Sequence, residues 1–192
     1  MQPMATSTLM TDAFRGRAAE LEDFDGVVRL HWSRVFRFAL ASLRDRDAAE
    51  TVTQDCFLKA YRAKDGFRGE ASVVTWLLQI AVNLVRDHAR NRRLQFWKRN
   101  RAADFDFDGV SDEIVTRGQS PEARTLAKQQ LHAIWRASES LPERQRTVFL
   151  LRFVEDMELA EIAAATGIKE GTVKIHLFRA LQTVRARMEN LR

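Results

Sequence analysis

From Phe24 to Leu43 the apolar residues fall at Phe24, Val27, Val28, Val35, Phe36, Ala39, Leu40 and Leu43, a three-and-four spacing that predicts an amphipathic helix. A second helix is expected from near Asp47. Its apolar side is Ala49, Val52, Cys56, Phe57 and Ala60, which makes Cys56 a core thiol. On another stripe Asp47, Glu50 and Gln54 recur at i, i+3 and i+7, with Asp55 beside them. Ser72 stands where it can cap a third helix, whose Val73, Trp76, Leu77, Ile80, Ala81 and Leu84 follow a near-heptad spacing and complete a three-helix core. The opposite face of that helix carries Gln79, Asn83, Arg86, Arg90 and Arg93. By itself this stripe reads equally well as a solvated face or as a contact with a polyanion.

Between Gln95 and Ser120 the periodicity fails and the charge changes sign. Lys98, Arg99 and Arg101 give way to Asp104, Asp106, Asp108, Asp112 and Glu113, with Gly109 and Gly118 interrupting. A structureless run of this length is longer than the usual connection within one compact domain, so it predicts a linker and a boundary. Helical spacing resumes at Ser120-Pro121, where a proline early in a helix leaves no donor unsatisfied. Leu126, Ala127, Leu131, Ile134 and Trp135 continue an apolar stripe, Leu141-Pro142-Glu143 restarts the chain, and Val148, Phe149, Leu151 and Phe153 supply the next buried side. No segment has the alternation of a strand. The expected fold is therefore all-α, with two small helical domains joined by a flexible linker: a disordered tail over 1–22, a first domain over 23–95, the linker over 96–120 and a second domain over 121–192.

The last part of the chain has a more specific pattern. Leu159 to Thr166 reads as a short helix of small residues, Gly167 suits a left-handed turn, and Ile168 can anchor that turn. A second helix follows from about Glu170, with Val173, Leu177, Ala180 and Val184 on one face and Thr172, Lys174, Ile175, Phe178, Arg179 and Gln182 turned outward. This is the order of a helix-turn-helix, whose second helix enters the major groove. Lys174 and Arg179 suit phosphates and base edges, and Phe178 suits either the core or a thymine methyl.

Composition adds a bias and removes some classes. Of 192 residues 45% are hydrophobic, and the formal net charge is +5, which favours a polyanionic partner. The single cysteine, Cys56, has no internal disulfide partner, and no run approaches the roughly 18 apolar residues of a membrane span. Met1 to Arg17 carry no apolar run of the signal-peptide kind, so a cytoplasmic location without membrane insertion is expected. His31, His88, His132 and His176 lack neighbours at metal-ligand spacing, and no phosphate loop or nucleophile elbow is present. No metal, no cofactor and no catalytic residue are expected.

Three stretches together resemble the extracytoplasmic-function (ECF) sigma factors, the small group IV members of the sigma-70 family of bacterial transcription initiation factors. They are Asp47 through Asp55, then Phe67 through Arg93 with its Thr75-Trp76-Leu77 and Ile80-Ala81-Val82-Asn83, then Leu141 through Arg179. The likeness runs from about Phe24 to Leu191 apart from the linker. It implies a sigma-2-like helical bundle followed by a sigma-4-like helix-turn-helix domain.

It also implies roles. Asp47, Glu50, Gln54 and Asp55 would dock on the beta-prime clamp of core RNA polymerase, although Thr51 departs from the acidic residue common at its place. Phe67, Arg68, Gly69, Glu70, Ala71 and Ser72 match the loop that captures a flipped base of the minus-ten element, with Gln79, Asn83, Arg86 and Arg90 beside it. An unstacked base needs a pocket, and cations and amides can track a single strand. Trp76 would border that pocket or, as its heptad position favours, pack in the core. Thr172, Lys174, Ile175, Phe178 and Arg179 would read the minus-thirty-five element as duplex, with Ile175 and His176 departing from the small polar and arginine residues frequent there. The acidic linker would follow the path built for RNA. The resemblance further implies contact with the polymerase beta flap, control by an anti-sigma factor, a specialised regulon and no enzymatic activity. Two rivals from other classes remain: a stand-alone helix-turn-helix regulator acting as a dimer, and a nucleic-acid-processing enzyme needing a carboxylate or metal cluster near the basic stripe.

Overall fold

The computed structural model describes residues 21–96 and 134–189. Among them every regular element is helical, as the periodicity predicts. The expected tail over 1–22 falls outside the described residues up to position 20, as do nearly all of the linker over 96–120 and the helix start at Ser120-Pro121 with its Leu126, Ala127 and Leu131. The main division of the chain into two compact units falls between Gln95 and Phe96.

In the first unit, α1 spans Phe24–Leu43 and α2 spans Arg46–Ala63. Each begins on an aspartate cap. Asp23 accepts the Gly26 N–H at 2.9 Å and Asp45 accepts the Ala48 N–H at 3.0 Å, each satisfying a donor that the first turn leaves open. α1 ends at Arg44, whose left-handed backbone (φ 55) lets its N–H close on the Leu40 carbonyl at 2.8 Å. So short a connection turns the two helices antiparallel. The side chains agree, since Phe24 meets Tyr61 (ring centroids 5.3 Å apart), Trp32 stacks on Phe57 (5.6 Å), and the Arg46 guanidinium lies over Phe36 (5.6 Å).

α3, Val73–Phe96, completes this unit after a 3-10 turn at Lys64–Gly66 and a short loop. Its buried stripe is wider than the heptad spacing implies. Leu78, Val82 and Val85 are buried along with Val73, Leu77, Ala81 and Leu84, while Trp76 and Ile80 are only half-buried. A helix enclosed on more than one side needs such a broad apolar face. Cys56 lies in this core, its thiol donating to the Leu77 carbonyl at 3.3 Å and so tying α2 to α3. Burial pushes that thiol up to about 12, with Lys59 pulling weakly the other way, so Cys56 is the inert core group that its spacing predicts.

In the second unit a helical turn at 134–138 buries Trp135 and Ala137, and Leu141 follows into the core. α4, Glu143–Phe153, starts after Pro142 and buries Val148, Phe149, Leu150 and Leu151. Phe153, expected on the buried side, is instead 52% exposed. It is the last residue of α4, its ring resting on Phe149 at 4.8 Å, where the helix has run past the end of its core. α5 is Leu159–Thr166 and α6 is Glu170–Glu189. The Glu161 carboxylate accepts the Glu158 N–H at 2.9 Å, one half of a capping box. Between α5 and α6, Gly167 takes φ 70 and its N–H closes on the Ala163 carbonyl at 2.9 Å. A side chain at that φ would be strained, which is why glycine stands there. α6 packs on α4 and buries Val173, Ala180 and Val184, with Leu177 half-buried beside them.

Candidate nucleic-acid interface

The loop from Phe67 to Ser72 is built from both ends. Its amino end is held by the Phe67 N–H on the Lys64 carbonyl at 3.0 Å. At the carboxy end, Ser72 caps α3: its hydroxyl accepts the Thr75 N–H at 3.1 Å and shares a 2.7 Å hydrogen bond with the Thr75 hydroxyl. Gly69 takes φ 70 and is buried in the bend. Arg68 and Glu70 on either side are exposed, their charged ends 4.0 Å apart. Ala71 is half-buried. Phe67 leans back on Trp76, ring centroids 4.9 Å apart and planes tilted by 41°. Trp76 is therefore neither sealed in the core nor free: it is half-buried and supports the base of the loop.

The polar stripe of α3 leaves from the same end. Gln79, Asn83, Arg86 and Arg90 are all exposed, on one face and in successive turns. The side chain of Arg93 lies outside the described residues. Arg90 pairs with Asp87 at 3.2 Å, an exposed i, i+3 contact of small energetic weight that a phosphate could displace. Two amides and two guanidiniums beside an aromatic-floored loop can follow a single-stranded backbone while the loop holds an unstacked base.

On α6, Thr172, Lys174, Ile175, Phe178 and Arg179 are all exposed. Lys174 is paired with Glu170 across one turn at 2.9 Å. Ile175 is 52% and Phe178 61% exposed, which decides the open question about Phe178 in favour of the surface. His176 is turned half inward and does not belong to this face.

The acidic stripe of α2 is a separate surface. Asp47, Gln54 and Asp55 are exposed, and Glu50 is half-buried with the Arg46 guanidinium 3.2 Å away. Thr51 spends its hydroxyl on the Asp47 carbonyl at 2.8 Å. The face does not stop at Asp55: Leu58 (47% exposed), one turn on from Gln54 and Asp55, and Tyr61 (53% exposed), one turn on from Leu58, continue it. The signal available was a pair of large apolar residues off the apolar stripe. Among the described residues no group of His, Cys, Asp or Glu could hold a metal ion, and no helix is long and apolar enough to cross a membrane.

Comparison with known proteins bears on both halves. The family model for sigma-70 region 2 matches residues 27–95, and that for sigma-70 region 4 matches residues 131–184. The chain is 35% identical over 144 residues to the ECF RNA polymerase sigma-E factor of Escherichia coli, covering 73% of each chain. It is 25% identical over 175 residues to the ECF RNA polymerase sigma factor SigW of Bacillus subtilis, covering 91% of this chain and 94% of that protein. Among solved structures, the sigma factor RpoE of Bartonella quintana, in complex with the anti-sigma factor NepR, superposes with a TM-score of 0.68 at 20% identity, over 88% of this chain and 98% of that one. CnrH in complex with the cytosolic domain of CnrY superposes with a TM-score of 0.63 at 21% identity, over 93% and 99%. At those identities the structural likeness speaks for the fold.

Proposed function

The chain belongs to the extracytoplasmic-function sigma factors of the sigma-70 family, which direct RNA polymerase to promoters, and on that premise we propose how its surfaces divide the work. α2 docks the protein on the beta-prime clamp of core RNA polymerase through Asp47, Glu50, Gln54 and Asp55, with Leu58 and Tyr61 adding apolar contact to a charged seam. The loop Phe67–Ser72 captures an unstacked base of the minus-ten element. Gln79, Asn83, Arg86 and Arg90 hold the single strand beside it, which stabilises the upstream edge of the melted bubble. α6 reads the minus-thirty-five element in duplex form through Thr172, Lys174, Ile175, Phe178 and Arg179, and the second unit meets the beta flap.

The observation that carries this division is the shared exposure of two unlike polar faces on one chain. Gln79, Asn83, Arg86 and Arg90 form a stripe beside a loop with an aromatic floor, and Lys174 and Arg179 form a second cationic face on a helix-turn-helix. A duplex-only regulator has no use for the first. The family consists of transcription initiation factors, and in our reading this chain has no chemistry of its own: the bond-forming step belongs to the polymerase. It acts in the cytoplasm, over the boundaries 23–95, 96–120 and 121–192, with the acidic linker following the path of RNA. We also carry over control by an anti-sigma protein, a kind of partner with which the Bartonella quintana factor was solved.

Run-off transcription from a randomised promoter library, with bacterial core polymerase in the presence and absence of the protein, tests the proposal. Discrete new start sites sharing two upstream elements are expected. No added initiation, together with tight duplex binding by the protein alone, would instead make it a stand-alone regulator. Metal-dependent turnover of DNA or RNA would make it an enzyme.

A further inference from the structure

Two large apolar side chains stand in the open on α6, between exposed cations. Ile175 is 52% and Phe178 61% exposed, and Lys174 and Arg179 flank them. This is not a helix short of core, since Val173, Ala180 and Val184 fill its buried side. Both residues lie within the first three turns from Glu170, the part of a recognition helix that approaches base edges. Along the helix they are about 4.5 Å apart, comparable to the rise of about 3.4 Å between base pairs, a spacing that suits neighbouring pairs when the helix lies along the groove.

The floor of the major groove is almost wholly donors and acceptors; its one apolar group is the C5 methyl of thymine. Resting on the assignment of α6 as the recognition helix, we infer that Ile175 and Phe178 select thymines at neighbouring pairs of the upstream element through contact with their methyls. Ile175 is the sharper discriminator. It is branched at Cβ and therefore stiff, and it has no group to offer a donor or acceptor that it covers. Over a thymine methyl it buries apolar surface against apolar surface. Over the amino group of cytosine or adenine it strips water and returns no hydrogen bond, so the wrong base is penalised as well as the right one favoured. Lys174 and Arg179 supply contacts to phosphates and purine edges on either side.

The test uses the full chain on core polymerase. Its preferred upstream element is first selected from a randomised duplex library, and each thymine is then replaced singly by deoxyuridine, which removes the methyl and keeps the base pair. A loss of about fourfold in affinity per contacted methyl is expected, at two neighbouring positions. Ile175→Ser should bind thymine and deoxyuridine duplexes alike at one of them, and Phe178→Ser at the other. If no deoxyuridine has an effect, or the selected element holds no thymine, the inference fails while the role of α6 stands. Methyl dependence that persists in both variants would also overturn it, because the methyl would then act through DNA shape. If no duplex element is preferred at all, the assignment of α6 itself fails.

Discussion

The ring of Phe67 rests 4.9 Å from that of Trp76, which joins the loop before α3 to the first turn of the helix that carries the polar stripe. The contact makes loop and stripe one unit, so under the proposed function a base in the loop and a strand on the stripe would be positioned relative to each other. Phe67→Ala should loosen the loop without touching the α2 face. Open-complex formation, followed by permanganate reactivity of unpaired thymines, should fall severalfold while affinity for core polymerase stays unchanged.

Asn83 and Arg86 lie one turn apart on the exposed face of α3, where neither contributes to the core. Replacing both with alanine should impair melting while leaving polymerase binding and thermal stability intact. Permanganate reactivity at the wild-type level would remove the stripe from the mechanism.

On α2, reversing the charge at Asp47 and Glu50 together should weaken core polymerase binding by at least tenfold at low salt, with the deficit shrinking as salt rises. Glu50→Lys also faces Arg46, 3.2 Å from the native carboxylate, so its effect on melting temperature needs measuring beside the binding titration. Unaltered affinity would reject the docking face.

Arg179→Ala should cost on the order of 1 to 3 kcal/mol at one position of the upstream element. Transcription from single-base variants of that element is the readout. Equal activity on all of them, before and after the substitution, would take Arg179 out of readout.

Cys56 gives a pH prediction whose sign follows from burial. Its thiol is raised from an ordinary value of 9.0 to about 12 in the folded chain. The unfolded chain therefore releases this proton first as pH rises. The contribution is fully present below about pH 9 and is lost between there and pH 12. Urea midpoints of the wild type should fall relative to those of Cys56→Ala as pH is raised above 9, and native Cys56 should resist alkylation at pH 8 until the protein is unfolded.

Much of this was legible from the chain order alone. The bounds of α1 and α5, the start of α6, the Ser72 cap and the left-handed Gly167 all follow from residues within a turn or two of one another, because caps and periodicity are local properties. The specific positions of burial were less so. Leu78, Leu150 and Val85 are buried outside the expected stripes, while Phe153, on an expected stripe, lies in the open. Which side of a helix is enclosed depends on what the rest of the chain brings to it. Trp76 illustrates the difference: its spacing favours the core, but Phe67 arrives from the loop and holds it half out.

By itself, then, the sequence determined the helices, where several of them begin and the residue types offered on each outward face, since these depend on contacts three or four residues apart. Only the tertiary structure decided that Phe178 is open and His176 turned half inward, that Leu58 and Tyr61 extend the acidic face, and that the Cys56 thiol is sealed against Leu77. The exposure of each side chain depends on atoms far away in the chain, and no local pattern contains them.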